Sequence, residues 1–128
     1  MKLLLDTHAF IWWDEDPARL GPAARQACFD PTTRLVLSVA SVWEIQIKVM
    51  LGKLGLAKPL RQMIDDQMQQ NGLEILAINL EHVLKLDALP VPHKDPFDRL
   101  LVAQAITEGC SVATHDSMIS RYPVSIIW

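Results

Sequence analysis

The sequence predicts an α/β fold with three layers, in which a twisted, mostly parallel sheet of about five strands is covered by helices on both faces. Short apolar segments alternate with helical segments along the chain, as in parallel sheets with helical crossovers. Hydrophobic residues make up 50% and charged residues 21% of the 128 residues, a composition that excludes disorder. Since a domain has about 100–150 residues, we interpret 1–128 as one domain.

The first half of the chain contains two predicted strands, at 2–5 and 34–38. Thr7 can cap a first helix at 8–13, although Asp6 is an equally suitable capping residue. Gly21-Pro22 opens a second helix, which extends to residue 29 and ends at Asp30-Pro31. The apolar spacing after residue 40 predicts a third helix at 41–51, which ends at Gly52.

The second half of the chain continues the alternation. Pro59 suits the first turn of a helix that ends at Asn71-Gly72. Asn79 is predicted to cap a short helix that ends at Leu86, whereas Pro90-Val91-Pro92 predicts an irregular segment. Gly109 follows the last predicted helix. The remaining predicted elements are strands at 74–78, 111–113 and 124–128, and a helix at 98–108.

Cysteine content and hydropathy suggest where the protein functions. Cys28 and Cys110 are too few for a disulfide scaffold, and a reduced cytoplasm fits them best. The longest apolar run has five residues, 9–13, so no membrane span is expected. Asp6 ends the apolar segment at the N-terminus after three leucines, which argues against a signal peptide.

Acidic residues stand at the starts of four predicted elements. Asp6 follows the first strand and Asp116 the fourth, and in parallel sheets ligands bind beyond the carboxyl ends of the strands. Each acid also has a structural interpretation. Asp6 can cap a helix, Glu44 can complete a capping box with Ser41, Asp98 can interact with a helix dipole, and Asp116 can cap a short turn at 117–121.

Several common catalytic motifs are absent from the sequence. It has no GxGxxG, P-loop, GxSxG or HExxH pattern. What remains is a set of carboxylates, the oxygen ligands that Mg²⁺ and Mn²⁺ prefer. Three histidines lie within two residues of an acid and suggest substrate contact or hydrogen bonding to a ligand rather than a soft-metal site. They are His8, His93 and His115.

The net charge of −3 argues weakly against a general nucleic-acid binder. However, leaving out the four candidate acids changes the balance to +1. Between Ile45 and Ile64 every charged residue is basic, which indicates either a solvated face or a phosphate-binding surface. The basic residues of this stretch are Lys48, Lys53, Lys58 and Arg61.

Four motifs, in order, resemble the PIN-domain nucleases of the VapC toxin type over nearly the whole chain. The first is Asp6-Thr7-His8, and the second is Ser41-Val42-Trp43-Glu44-Ile45 with Lys48 and the segment 51–54. The third runs from His93 through Asp95-Pro96-Phe97-Asp98-Arg99 to Gln104-Ala105. The fourth is Thr114-His115-Asp116, after which Tyr122-Pro123-Val124 and Trp128 also match.

The resemblance implies a metal-dependent endoribonuclease, a hydrolase of the EC 3.1 class, with Asp6, Glu44, Asp98 and Asp116 as catalytic acids. In this interpretation Asp6, Asp98 and Asp116 bind Mg²⁺ or Mn²⁺, and Glu44 orients or deprotonates water or holds a second ion. Weaker candidates act on substrate or on the acids. Thr114 assists Asp116, Asp95 shapes the loop, Arg99 contacts phosphate or pairs with an acid, and Lys48 belongs to the Glu44 motif.

The resemblance also implies an RNA substrate, a cognate antitoxin and a homodimer. Trp12 and Trp13 are about 100° apart on one helix, so at least one is expected at an apolar surface near Phe10 or Ile11. Two other functions remain open. One is a metal-dependent phosphatase or receiver-like domain, although Asp6-Thr7-His8 lacks the second acid of a DxD pair. The other is a binding module for RNA or protein without catalysis.

Overall fold

The computed structural model describes residues 1–90 and 95–128 and contains a five-stranded, all-parallel sheet in the order β3-β2-β1-β4-β5. The strands are β1 (Lys2–Leu5), β2 (Arg34–Ser38), β3 (Glu74–Leu76), β4 (Ser111–Ala113) and β5 (Ile126–Ile127). The helices of these residues include α1 (Thr7–Glu15), α2 (Pro22–Phe29), α3 (Val39–Met50), α4 (Leu60–Asn71), α5 (Leu80–Lys85) and α6 (Pro96–Glu108). Within the same residues, no helix is long and apolar enough to cross a membrane.

The two faces of the sheet bury separate apolar clusters, which confirms the predicted three layers. Leu3 and Leu5 of β1 pack with side chains of α1, α2 and α4, whereas Leu4 packs with α6. Successive side chains of a strand face opposite sides of a sheet. A strand covered on both faces therefore reads as a continuous apolar run, as β1 does.

The strand order places a crevice between two neighbouring strands. The chain goes from β1 to β2 and β3 on one side, then returns to β4 and β5 on the other. Connections leave the carboxyl ends of β1 and β4 in opposite directions, which opens the crevice where ligands bind in such sheets. Leu5 of β1 pairs with Ala113 of β4, so the residues that follow these strands are close in space.

Three predicted helix starts are wrong by one or two residues. Asp6, and not Thr7, is the N-cap of α1, since its carboxylate accepts a hydrogen bond from the amide of Ala9. Ser38 is the N-cap of α3 and accepts from the Ala40 amide. The capping box predicted for Ser41 and Glu44 is therefore wrong, because Ser41 lies inside the helix. Helix α6 begins at Pro96, two residues before the predicted start.

Both edge strands are shorter than predicted. β3 covers three of the residues predicted at 74–78, and β5 covers two of those predicted at 124–128. Each of these strands pairs with a single neighbour, so fewer hydrogen bonds hold its backbone extended. Of the segment 90–92 that was predicted to be irregular, Val91 and Pro92 lie outside the described residues, as do His93 and Lys94.

A buried polar network connects β2, α5 and α6. The fully buried Gln104 accepts a hydrogen bond from the Ser38 hydroxyl, and its Nε2 lies 3.4 Å from the Ala77 carbonyl oxygen and 3.3 Å from His82 Nδ1. The other ring nitrogen of His82 lies 3.0 Å from a Glu108 carboxylate oxygen. This arrangement makes Nδ1 the acceptor and Nε2 the donor of the His82 ring.

We expect Gln104→Met to lower the free energy of unfolding by about 1–3 kcal/mol, because the Ser38 hydroxyl loses the acceptor of its proton and the Ala77 carbonyl loses its amide donor. Methionine has nearly the same length, so the loss reports hydrogen bonding more than volume. Urea denaturation measures the change, and the exposed Gln70→Met variant is the control. Equal stability of the Gln104→Met variant and the wild type would contradict this role.

Candidate active site

The four predicted acids line one cavity of about 250 Å³ at the carboxyl edge of the sheet. Asp6 follows β1 directly, and Asp116 comes three residues after β4, its neighbour in the sheet. Glu44 comes from the second turn of α3, and Asp98 from the first turn of α6. The fold therefore gathers into one site four acids that lie far apart along the chain, from Asp6 to Asp116.

Asp6 is buried at the edge of this cavity. Burial raises the pKa of its carboxyl group, and the nearby Asp116 raises it further, while the Thr114 hydroxyl and the Ala9 amide lower it through hydrogen bonds. Thr114 is itself buried, and its oxygen accepts a 3.0 Å hydrogen bond from the Asp116 amide. Thr114 therefore contacts both Asp6 and Asp116.

Glu44 is buried and held by two side chains. The Thr7 hydroxyl donates to Glu44 Oε1, and Lys48 Nζ lies 3.1 Å from Oε2. Sequence reasoning treated Thr7 only as a helix cap and missed this contact. The one available signal was its position directly after the acid at the end of a strand. The Ser41 hydroxyl, which was expected to cap this helix, has no hydrogen-bond partner among the described residues.

The third motif supplies one wall of the cavity. Asp95 lines the cavity and also caps α6, because its carboxylate accepts from the Phe97 amide at 2.9 Å and the Asp98 amide at 3.4 Å. The loop-shaping role of Asp95 stays a prediction. Capping by Asp95 also places Asp98 within the first turn of the helix, next to the cavity.

Arg99 makes its contacts with backbone carbonyls and with a tyrosine hydroxyl. Its guanidinium donates to the carbonyl oxygens of Pro90 at 2.8 Å and Leu86 at 3.3 Å, and to the Tyr122 hydroxyl at 3.3 Å. It is not among the residues that line the cavity. Arg99 therefore holds the segment before α6 in place, and among the described residues it pairs with none of the four acids.

The basic stretch after Ile45 is divided among separate partners. Lys58 lies 3.3 Å from Asp66, and Arg61 lies 3.1 Å from Asp65. Of the four basic residues, only Lys48 lines the cavity within the described part of the chain. The interpretation as a solvated face therefore suits most of this stretch, whereas Lys48 belongs to the site.

The donor set of the cavity suits a hard divalent cation. Carboxylate oxygens from Asp6, Asp98 and Asp116 border the same space, and oxygen donors are the ligands of Mg²⁺ and Mn²⁺. In residues 1–90 and 95–128, however, no three side chains of Asp, Glu, His or Cys are arranged to hold an ion. A cation in this cavity would offset the burial that raises the pKa of the Asp6 carboxyl group.

Aromatic side chains complete the lining of the cavity. Trp12 and Trp128 both line it, with ring centroids 5.8 Å apart, and sequence reasoning assigned neither to the site. Of the two adjacent tryptophans, at least one of which was predicted at a surface, Trp13 is buried in the core together with Phe10 and Ile11. Trp12 is partly buried and faces the cavity. The signal in the sequence was the adjacent tryptophan pair, which cannot share one environment.

A family model described as "PIN domain" matches residues 3–124. Ribonuclease VapC22 of Mycobacterium tuberculosis (strain ATCC 25618 / H37Rv) is 28% identical over 98% of both chains. The structure of VapBC2 from Rickettsia felis, bound to a DNA fragment from their promoter, aligns with a TM-score of 0.68 and 16% identity over 98% of this chain and 97% of that one. FitAcB from Neisseria gonorrhoeae aligns with a TM-score of 0.62 and 19% identity over 97% and 95%.

We expect Asp6→Asn to raise the melting temperature at pH 7 in EDTA. The pKa of Asp6 is raised in the folded protein, so its ionised form costs stability above the folded pKa, and this cost disappears below the unfolded pKa of about 4. Asparagine keeps the helix-capping oxygen without the charge. Thermal melts between pH 4 and pH 7.5 measure the difference, which should shrink as the pH falls. A variant that is less stable than the wild type at pH 7 would contradict the prediction.

Proposed function

The chain belongs to the PIN-domain family, and on this premise we propose that it is a metal-dependent endoribonuclease that acts as the toxin of a toxin–antitoxin pair. The observation that carries the proposal is the convergence of Asp6, Glu44, Asp98 and Asp116 on one cavity. The similarity to Ribonuclease VapC22 supports the ribonuclease activity. We take residues 1–128 as a single nuclease domain.

Asp6, Asp98 and Asp116 are the proposed ligands of Mg²⁺ or Mn²⁺. A phosphodiester that entered the cavity would otherwise meet several carboxylates, and like charges repel strongly where water is partly excluded. When bound, the ion would supply positive charge that offsets this repulsion and polarises the phosphate. Thr114 would position Asp6 and Asp116 relative to each other, since it contacts both.

Glu44 is the proposed group that orients the attacking water and accepts its proton. Its two oxygens are held by Thr7 and Lys48, so the carboxylate has a fixed direction before substrate arrives. Attack in line with the P–O3′ bond would leave a 5′-phosphate and a 3′-hydroxyl. Lys48 would then be close enough to the site to exchange its contact with Glu44 for one with phosphate.

The proposed partners are an RNA substrate, a cognate antitoxin and a second copy of this chain. The solved structure from Rickettsia felis carries the name VapBC2, which supports an antitoxin. Apolar side chains on α5 are exposed and suit a protein interface; they are Leu80, Val83 and Leu84.

Cys28 and Cys110 are buried and free, and burial raises the pKa of the Cys28 thiol to about 11. Unpaired thiols fit the proposed cytoplasmic location.

RNA cleavage by the purified protein should require Mg²⁺ or Mn²⁺ and should be abolished by EDTA. Asp6→Asn keeps the shape of the side chain but removes a charged ligand, so we expect cleavage to fall by orders of magnitude while the circular dichroism spectrum is retained. Asp65→Asn, which alters an exposed acid paired with Arg61, is the matched control and should cleave normally. Comparable cleavage by the wild type and the Asp6→Asn variant would refute the proposed site.

Metal binding should also be visible without substrate. An ion that binds only the folded protein stabilises it by about 2.7 kcal/mol at a hundredfold excess over its dissociation constant, so Mg²⁺ should raise the melting temperature in a concentration-dependent way. Asp98→Asn removes one of the proposed ligands, so the melting temperature of this variant should respond much less to Mg²⁺. If neither Mg²⁺ nor Mn²⁺ shifts the wild-type melt, the metal site is wrong.

A further inference from the structure

Four aromatic side chains form a continuous wall along the cavity that the acids line. This aromatic wall consists of His8, Trp12, Trp128 and His115. The ring centroids are 5.5 Å apart for His8 and Trp12, 5.8 Å for Trp12 and Trp128, and 5.3 Å for Trp128 and His115. The last pair is stacked, with an angle of 28° between the ring planes. The wall therefore offers π surface beside the acidic groups.

The two tryptophans of the wall are held in place by neighbouring elements. The carbonyl oxygen of Trp128 accepts a 3.0 Å hydrogen bond from the Ala23 amide. Its backbone packs so closely on Gly21 that a Cβ at this glycine would lie 2.4 Å from the Trp128 carbonyl carbon. The Arg19 guanidinium lies 4.4 Å from the centre of the Trp12 ring. These contacts fix the rings before any ligand binds, which lowers the entropy cost of binding.

Core packing explains only the inner part of this wall. Trp12 and Trp128 are partly buried against the apolar core, and that contact alone would account for them as structural residues. His8 and His115, in contrast, are exposed, yet their rings extend the row at both ends. An exposed histidine stacked on a tryptophan at the mouth of an acidic cavity contributes little to the core.

A nucleotide of a single-stranded RNA matches both the acids and the aromatic wall of the cavity. Its phosphate would lie at the proposed metal ligands, and its base has a π face that stacks on aromatic rings. The volume of about 250 Å³ is below the roughly 300–1,000 Å³ of sites that enclose drug-sized ligands, so the cavity suits one nucleotide unit of a longer chain.

We propose that the aromatic wall binds, by stacking, the base of the nucleotide next to the scissile phosphate in single-stranded RNA. This inference rests on the proposed ribonuclease function and adds a subsite to it. Stacking accepts every base, because each has a π face. The subsite therefore selects for an unpaired nucleotide at this position more than for its identity.

The test compares cleavage of a short single-stranded RNA with cleavage of two modified versions of the same RNA. One version carries a single abasic ribose on the 5′ side of the mapped cleavage position, and the other carries it on the 3′ side. For the wild type we expect about a tenfold loss of kcat/KM with the abasic ribose on one side, mainly through KM. Trp128→Leu should lose a similar factor on normal RNA and nothing further on abasic RNA, whereas Trp128→Phe should keep most of the preference. Trp43→Leu removes an exposed tryptophan that does not line the cavity, and should behave as the wild type.

A binding experiment separates this inference from the proposed function. Tryptophan fluorescence of the Asp6→Asn variant is titrated with normal and with fully abasic RNA, so that no cleavage is needed. Quenching by normal RNA alone supports stacking even if the wild type fails to cleave RNA. The inference is overturned if both RNAs quench equally or not at all, if the wild type cleaves abasic and normal RNA equally, or if Trp128→Leu keeps the full preference. Quenching by a protein partner alone would assign the wall to that partner instead.

Discussion

The parallel pairing of β1 with β2 on one side and β4 on the other is the constraint on which the site depends. Because all strands run in one direction, their carboxyl ends lie at one edge. The pairing of Leu5 with Ala113 then fixes how far the residues after β1 lie from those after β4. Helices α3 and α6 begin near the same edge and bring Glu44 and Asp98 to it. A slip in the β1–β4 register would separate Asp6 from Thr114 and Asp116.

This arrangement brings together four acids, of which Asp6 and Glu44 are buried. Burial alone raises the pKa of Asp6, and Asp116 adds to the shift. The protein offsets part of the cost with the donors that it has available. These are the Ala9 amide and the Thr114 hydroxyl at Asp6, and the Thr7 hydroxyl and Lys48 at Glu44. Burial of the Asp6 charge therefore lowers the stability of the folded protein, and the proposed cation would offset this cost. A loss of stability at a functional site is common in proteins.

The polar network around Gln104 joins the two helices that carry Glu44 and Asp98. Ser38 ends β2, caps α3 and donates to Gln104 of α6. Through these bonds the starts of α3 and the middle of α6 are fastened to each other on the same side of the sheet. Glu44 and Asp98 lie on these two helices, so the spacing between their carboxylates depends on a network that touches neither of them.

The sequence by itself determined the order and type of the elements and the four acids, because apolar periodicity, glycine and proline positions and motif spacing are local signals. It did not determine which polar residue caps each helix. Asp6 and Thr7, or Ser38 and Ser41, are equally good caps in isolation, and the choice depends on where the strand before each helix ends. It also did not reveal that the Thr7 hydroxyl donates to Glu44 or that Arg99 donates to backbone carbonyls. The contact between the Trp12 and Trp128 rings was not predicted either. These contacts join residues far apart in sequence, so only the packing of the layers brings them within reach, and no local pattern records the distance between them.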